Sequence, residues 1–242
     1  GSLAEYQKDI SALSTTPDAL SITSTFDTAG FSVSSAGDVN GDGWTDLIIS
    51  AHFQVVGSLA GNTGKSYVIY GSAALSSLQT ISLGNVGGTV PGFVISGWQA
   101  GEESGTSVSS AGDINGDGLA DLLVSAYYND VAGTESGMTY VVLGKTGNTA
   151  VNLSSIKNNI GGFAIKGENA QDKSGVSVSS GGDINGDGLS DAVLTSASQM
   201  QIFYGNAALT GDSNLAVQSI AGIGGELLTA NAVSTPDNIH AA

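Results

Sequence analysis

The chain has 242 residues, of which 36 are glycine and 3 proline; it has no cysteine and no arginine, and 22 acidic side chains against 6 lysines leave a net charge of −16. So few cations cannot neutralise a nucleic-acid backbone, the lack of arginine removes bidentate recognition of anions, and the lack of cysteine removes disulfides and thiol chemistry. No apolar run reaches the roughly 20 residues of a membrane helix, which argues against membrane insertion, while 40% hydrophobic residues suffice for a packed core.

From the N-terminus, Gly1-Ser2 reads as a cloning remnant, and the charged and apolar regions of a signal peptide do not follow it. Residues 1–20 form an extension, and only the first 15 or so carry any hint of a 3.6-residue period. The rest of the chain repeats itself. FSVSSAGDVNGDGWTDLIIS (31–50), TSVSSAGDINGDGLADLLVS (106–125) and VSVSSGGDINGDGLSDAVLT (176–195) are three copies of one block, offset by 75 and 70 residues. YVIYG (67–71), YVVLG (140–144) and QIFYG (201–205) recur downstream in register. GFVISG (92–97) and GFAIKG (162–167) open the second and third copies, and ALSITS (19–24) opens the first more weakly.

Each copy thus offers about four short β-branched or aromatic runs separated by Gly, Ser, Asn or Asp, which is the punctuation of strands. LIIS (47–50) and LLVSA (122–126) are apolar without alternation, as strands covered on both faces are. A four-stranded unit of 65–70 residues is the size of a propeller blade, and near-constant period favours radial repetition over a β-sandwich with pseudo-repeats. The expectation is therefore an all-β chain of three four-stranded blades, 21–91, 92–161 and 162–225, followed by a tail at 226–242.

Nine of the 22 acids fall in three copies of one pattern, D-x-N-G-D-G-x-x-D. Oxygen donors at alternating positions of a tight loop can converge on one centre, and a hard cation such as Ca2+ takes six to eight of them. Positions 1, 3 and 5 are Asp38, Asn40 and Asp42; Asp113, Asn115 and Asp117; Asp183, Asn185 and Asp187. Glycine at position 6 lets the loop fold back, and position 7 (Trp44, Leu119, Leu189) can offer its backbone carbonyl. Position 9 returns a carboxylate, Asp46, Asp121 or Asp191. An EF-hand needs an acid at position 12, where this chain has Ile49, Val124 and Leu194. Metal-free Asn-Gly and Asp-Gly turns would need no acids at 1, 5 and 9, and crowding three carboxylates costs energy. Three calcium ions, one per repeat, are the expectation.

The loop, preceded by G-x-S-V and followed by a strand and a Y-V-x-Y-G run, resembles the FG-GAP repeat. That family builds the calcium-binding blades of the integrin α-subunit propeller and of many bacterial secreted and surface proteins. The resemblance covers roughly residues 20–225. It implies calcium held on one rim of a propeller and a role in adhesion or binding to a protein or carbohydrate ligand, outside the cell or at its surface. The chain departs from the family at the phenylalanine of the "FG" element, replaced by Ala29, Ser104 and Ser174 beside Gly30, Gly105 and Gly175. The "GAP" element is eroded to Ser50-Ala51-His52, Ser125-Ala126-Tyr127 and Thr195-Ser196-Ala197.

Three blades are too few to close a ring, since propellers have about 4–8. The ring is incomplete as it stands: either a homodimer completes six blades, or the propeller continues in a longer chain. Other motifs carry less. Gly64-Lys65-Ser66 and Gly144-Lys145-Thr146 have Leu59 and Thr139 where a phosphate-binding loop needs its first glycine. No catalytic constellation is present, and His52 and His240 have no repeated partners. Phe53, Tyr127 and Tyr128, beside Asn129, Asp130 and Glu135, mark the long second-to-third-strand connections; they serve either ligand binding or packing over neighbouring blades. Trp98 with Glu102 and Glu103 reads as packing between blades, and Asn152-Leu153-Ser154 fits a glycosylation sequon. The leading function is a calcium-binding, non-enzymatic propeller module; the alternative is the accessory propeller of a secreted hydrolase of phospholipase or polysaccharide-degrading type.

Overall fold

The computed structural model describes residues 20–24, 29–57, 61–209 and 218–220. The N-terminal extension before residue 20, with its hint of helical period, and the tail at 226–242, with His240, lie outside the described residues. Among the described residues, fifteen strands, one short α-helix and two short 3-10 turns make up the regular structure, so the all-β expectation holds.

The first blade pairs β2 (Val33–Gly37), β3 (Asp46–Ala51), β4 (Lys65–Ile69) and β6 (Gly92–Ser96) in an antiparallel meander. The second repeats this with β7 (Val108–Gly112), β8 (Asp121–Ala126), β9 (Met138–Val142) and β11 (Gly162–Gly167). In the third, β12 (Ser177–Gly182), β13 (Asp191–Thr195) and β14 (Met200–Phe203) form three strands among the described residues. The register repeats with the sequence: Ile48 faces Val68, Leu123 faces Val141, and Val193 faces Ile202.

The sheets are cut differently from the sequence copies. GFVISG and GFAIKG, which open copies two and three, supply β6 and β11, the fourth strands of blades one and two. A second, shorter connection then runs parallel to the outer strand of the preceding sheet. β10 (Val151–Asn152) pairs with β6, and β15 (Gln218–Ile220) with β11. By the same rule β5 (Thr80–Ser82) pairs in parallel with β1 (Ser21–Thr23). Each copy therefore stitches two blades together. The helix α1 (Leu153–Lys157), which the sequence reading did not anticipate, follows β10; Asn152 caps it by accepting the Ser154 N–H at 2.9 Å, and it buries Leu153 and Ile156.

The sheets stack face to face, β2 against β7 and β7 against β12. One apolar cluster, with Ile48, Val68, Leu122 and Tyr140, fills the space between blades one and two. A second, with Leu123, Val141, Ala192 and Leu194, fills the space between two and three. Every residue of β8 is buried because this strand has a blade on each side, as its unbroken apolar run implied. A third cluster, around Tyr67 and Ile81, covers the outer part of blade one's other face with Leu20 and Ile22.

Candidate metal loops and the blade latches

Each D-x-N-G-D-G-x-x-D segment is the turn between the first and second strands of its blade. The same hydrogen bonds recur in all three. Asp38 Oδ1 accepts the N–H groups of Gly41 and Asp42, and its Oδ2 accepts that of Gly43, at 2.8–3.1 Å. Asp113 and Asp183 do the same for their own loops. Asn40 Oδ1 accepts the Asp42 N–H at 2.9 Å, and Asp42 Oδ1 accepts the Trp44 N–H at 2.9 Å, with counterparts at Asn115, Asp117, Asn185 and Asp187. Gly43 turns the chain at φ +87°, and Gly118 and Gly188 follow it. These side chains are predisposed to this loop: each short Asp or Asn oxygen replaces a backbone acceptor that the tight turn cannot reach.

Position 9 has a role that spacing alone did not disclose. Asp46 is buried, its Oδ2 accepts the Val39 N–H at 2.9 Å and its Oδ1 accepts the Gly71 N–H at 2.7 Å. Asp121 joins Ile114 to Gly144, and Asp191 joins Ile184 to Gly205, in the same way. Each carboxylate therefore ties the start of the loop to the end of the third strand, besides standing at the ninth loop position.

Burial pushes the Asp121 carboxyl up to about 7; the Gly144 and Ile114 N–H groups oppose this, and the nearby Asp117 and Asp113 charges add to it. Asp46 is raised by the same set of causes, burial first. So positions 1 and 5 bear electrostatically on position 9, although among the described residues no group of three or more His, Asp or Glu side chains by itself forms a metal cage. The donor set fits a hard cation when Asn40 and the position-7 carbonyl are counted: all oxygens, with like charges that a divalent ion would neutralise. A carboxylate has about four lone-pair sites, so the two latch bonds leave Asp46 further acceptor capacity.

The other flagged residues sort by burial. Phe53 is exposed and stacks on His52, which also meets Phe31; the rings are 4.0 and 3.9 Å apart. His52 itself is buried, its Nδ1 lacks a hydrogen bond, and burial holds its pKa below the usual value. Tyr127 and Tyr128 stack at 4.2 Å. Asn129 is fully buried, and it belongs to a network that sequence reasoning missed. Glu102, also fully buried, accepts the N–H groups of Trp98 (2.7 Å) and Gln99 (3.2 Å), the Asn129 amide (2.8 Å) and the Tyr140 hydroxyl (3.0 Å). Trp98 Nε1 donates to the Tyr140 hydroxyl at 2.6 Å, and Lys157 lies over the Trp98 ring. The Trp98–Glu103 segment is thus the packed joint between blades one and two. Lys173 pairs with Glu135 at 3.0 Å in the corresponding joint of blade three.

The stacked four-stranded sheets and their repeated acidic loops define a repeat protein built of β-propeller-like blades. The model of the FG-GAP repeat family matches residues 29–69 and 104–142. The third loop lies outside both matched stretches and makes the same hydrogen bonds. No curated protein matches the chain. Among the described residues, no helix is long and apolar enough to cross a membrane.

Proposed function

We propose that this chain is a calcium-binding, integrin-like propeller module of a secreted or cell-surface protein, non-enzymatic, acting in adhesion or in binding a protein or carbohydrate ligand on a propeller rim. The observation that carries the reading is the threefold loop, in which a carboxylate at position 1 (half-buried at Asp38 and Asp113), an exposed carboxylate at position 5 and a buried carboxylate at position 9 recur at one spacing. In each blade, the side chains at positions 1, 3, 5 and 9 and the carbonyl at position 7 would hold one ion. Calcium supplies the positive charge that lets these acids sit together, and three ions would offset six of the sixteen net negative charges. Extracellular calcium modules bind at roughly 10⁻⁴–10⁻³ M, which suits an outer surface. Two measurements test this: native mass spectrometry in calcium buffer, expected to show three bound ions, and thermal unfolding with and without chelator, expected to show a lower Tm after chelation. An unchanged Tm together with a metal-free mass sinks the reading.

A further inference from the structure

The contacts between consecutive blades are made twice by equivalent atoms. Ala120 N–H donates to the Asp38 carbonyl, and Ser190 N–H to the Asp113 carbonyl, both at 2.9 Å. Lys145 N–H donates to the Val39 carbonyl, and Asn206 N–H to the Ile114 carbonyl, again at 2.9 Å. Val108 N–H donates to Ser32 Oγ, and Val178 N–H to Ser107 Oγ, both at 3.1 Å. A side chain at loop position 7 packs on the loop glycine of the preceding blade: Leu119 approaches Gly41, and Leu189 approaches Gly116.

Both ends of the stack present the halves of this contact that face no further blade among the described residues. On blade three the acceptor half is bare. Ile184 is 47% exposed, whereas its equivalents Val39 and Ile114 are fully buried. Val193 and Ile202 are half-buried where Ile48, Val68, Leu123 and Val141 are fully buried. A Cβ on Gly37 or Gly112 would strike Ala120 or Ser190 of the following blade, but one on Gly182 meets nothing within 4 Å. On blade one the donor half is bare along β2 and its loop, while Ile49, Tyr67 and Ile69 lie under the third apolar cluster. Val33 is 60% exposed, against 4% and 5% for Val108 and Val178, and Trp44 is exposed at the position where Leu119 and Leu189 pack.

We propose that the free face of blade one in one copy of this chain docks on the free face of blade three in a second copy, and that two copies close a ring of six blades. The geometry of the two existing contacts assigns the partners. Thr45 and Ser72 N–H would donate to the Asp183 and Ile184 carbonyls, Val33 N–H to Ser177 Oγ, and Trp44 would cover Gly186. A second copy is the fitting occupant because the two faces complement each other and neither complements itself, so the contact is head-to-tail and must either close or propagate. Six is the only multiple of three within the usual 4–8 blades of a propeller. The bare parts of both surfaces carry exposed apolar side chains, Phe31, Val33 and Trp44 on blade one and Ile184 on blade three. This inference rests on the blade architecture and stands whether or not the loops take calcium.

The test is sedimentation of the full chain across the micromolar range in physiological salt, which screens repulsion between two acidic copies. The wild type is expected at twice the monomer mass. Val33→Asp and Ile184→Asp each bury an unpaired charge in the contact, so each raises the dissociation constant at least about a hundredfold and sediments as a monomer. An equimolar mixture of the two variants retains one intact contact and associates again, which an interface of like with like could not do. Both positions are exposed in a single copy, so circular dichroism is expected to match the wild type and verifies folding directly, while the Tm of each variant is expected to match that of wild type diluted below its dissociation constant. A wild type that stays monomeric, a dimer unchanged by both substitutions, or a mixture that fails to associate overturns the proposal.

Discussion

Asp46 Oδ1 accepts the N–H of Gly71, 25 residues further along the chain, at 2.7 Å. The other carboxylate oxygen holds Val39, so one buried side chain fastens the acidic loop to the end of β4. Asn in its place keeps one acceptor and points an amide N–H at a backbone N–H. Leaving one buried donor unsatisfied costs roughly 1–3 kcal/mol. Asp46→Asn is therefore expected to lose about 2 kcal/mol in urea unfolding, in chelator as well as in calcium. A variant that loses stability only in calcium would show that the latch carries no weight of its own.

Asp42 gives the opposite signature. Its side chain is exposed and bonds only within its own loop, to the Trp44 N–H and the Asn40 amide. Asp42→Asn relieves like-charge crowding, so in chelator its stability is expected within about 0.5 kcal/mol of wild type. In calcium it forfeits one site's contribution, about 1.4 kcal/mol when the ion stands at ten times its dissociation constant. Comparing Asp42→Asn with Asp46→Asn across a calcium titration separates a ligand position from a latch.

The loops and the strand set were legible because both are written as short-range patterns. Alternating acids with glycine at position 6, and apolar runs such as LLVSA, state their own local geometry. What remained hidden was non-local. Repeat equivalence says that GFVISG matches GFAIKG; it does not say that Gly92 pairs with Ile69 and closes the sheet begun by β2. The second job of Asp46 depends on a glycine 25 residues away. Trp98 with Glu102 and Glu103 reads in sequence as packing between blades, but that Asn129 and Tyr140 close on Glu102 and remove it from water follows only from the fold. The departure of Asn129 from an exposed binding loop to a buried one has the same cause, since the carboxylate it serves lies 27 residues upstream.

The acidic clusters also set a pH response. The Asp121 carboxyl is held at about 7 in the folded chain, above the ordinary value of 3.8, chiefly by burial. A raised folded pKa means that the native state binds the proton more readily than the unfolded state. The stability associated with it is complete below the ordinary value and is lost as pH rises toward 7, by at most about 1.4 kcal/mol per pH unit for one group. In chelator, stability is expected to fall from pH 4.5 to 7. Calcium favours the ionised carboxylates and flattens that slope. Urea unfolding at several pH values, with and without calcium, checks both statements, and parallel curves in the two buffers would contradict them.

Glu102 is the group on which the joint between the first two blades turns. Its two oxygens receive four donors, two from the chain segment that leaves β6 and two from the second blade, at Asn129 and Tyr140. Burial raises its pKa, while the backbone N–H groups of Trp98 and Gln99 and the side chains of Asn129 and Tyr140 oppose the rise. Truncation to alanine strands several buried donors at once and is expected to cost at least about 3 kcal/mol. Glu102→Gln has the same shape; its oxygen still serves Trp98 and Gln99 and the Tyr140 hydroxyl can accept from the new N–H, but Asn129 Oδ1 already accepts the Val131 N–H at 3.0 Å, so the Asn129 amide N–H is left facing a donor. The glutamine variant is therefore expected to lose roughly 1–3 kcal/mol at pH 7, less than alanine, and to lack the stability loss that wild type shows as pH climbs from the ordinary glutamate value through the raised one. Fluorescence reports the joint directly once Trp44 is replaced by phenylalanine, because Trp98 Nε1 is bonded to the Tyr140 hydroxyl. Should Glu102→Ala unfold with the wild-type midpoint and an unchanged Trp98 spectrum, the joint would be a passive connection, and the stacking of the sheets would rest on the apolar clusters alone.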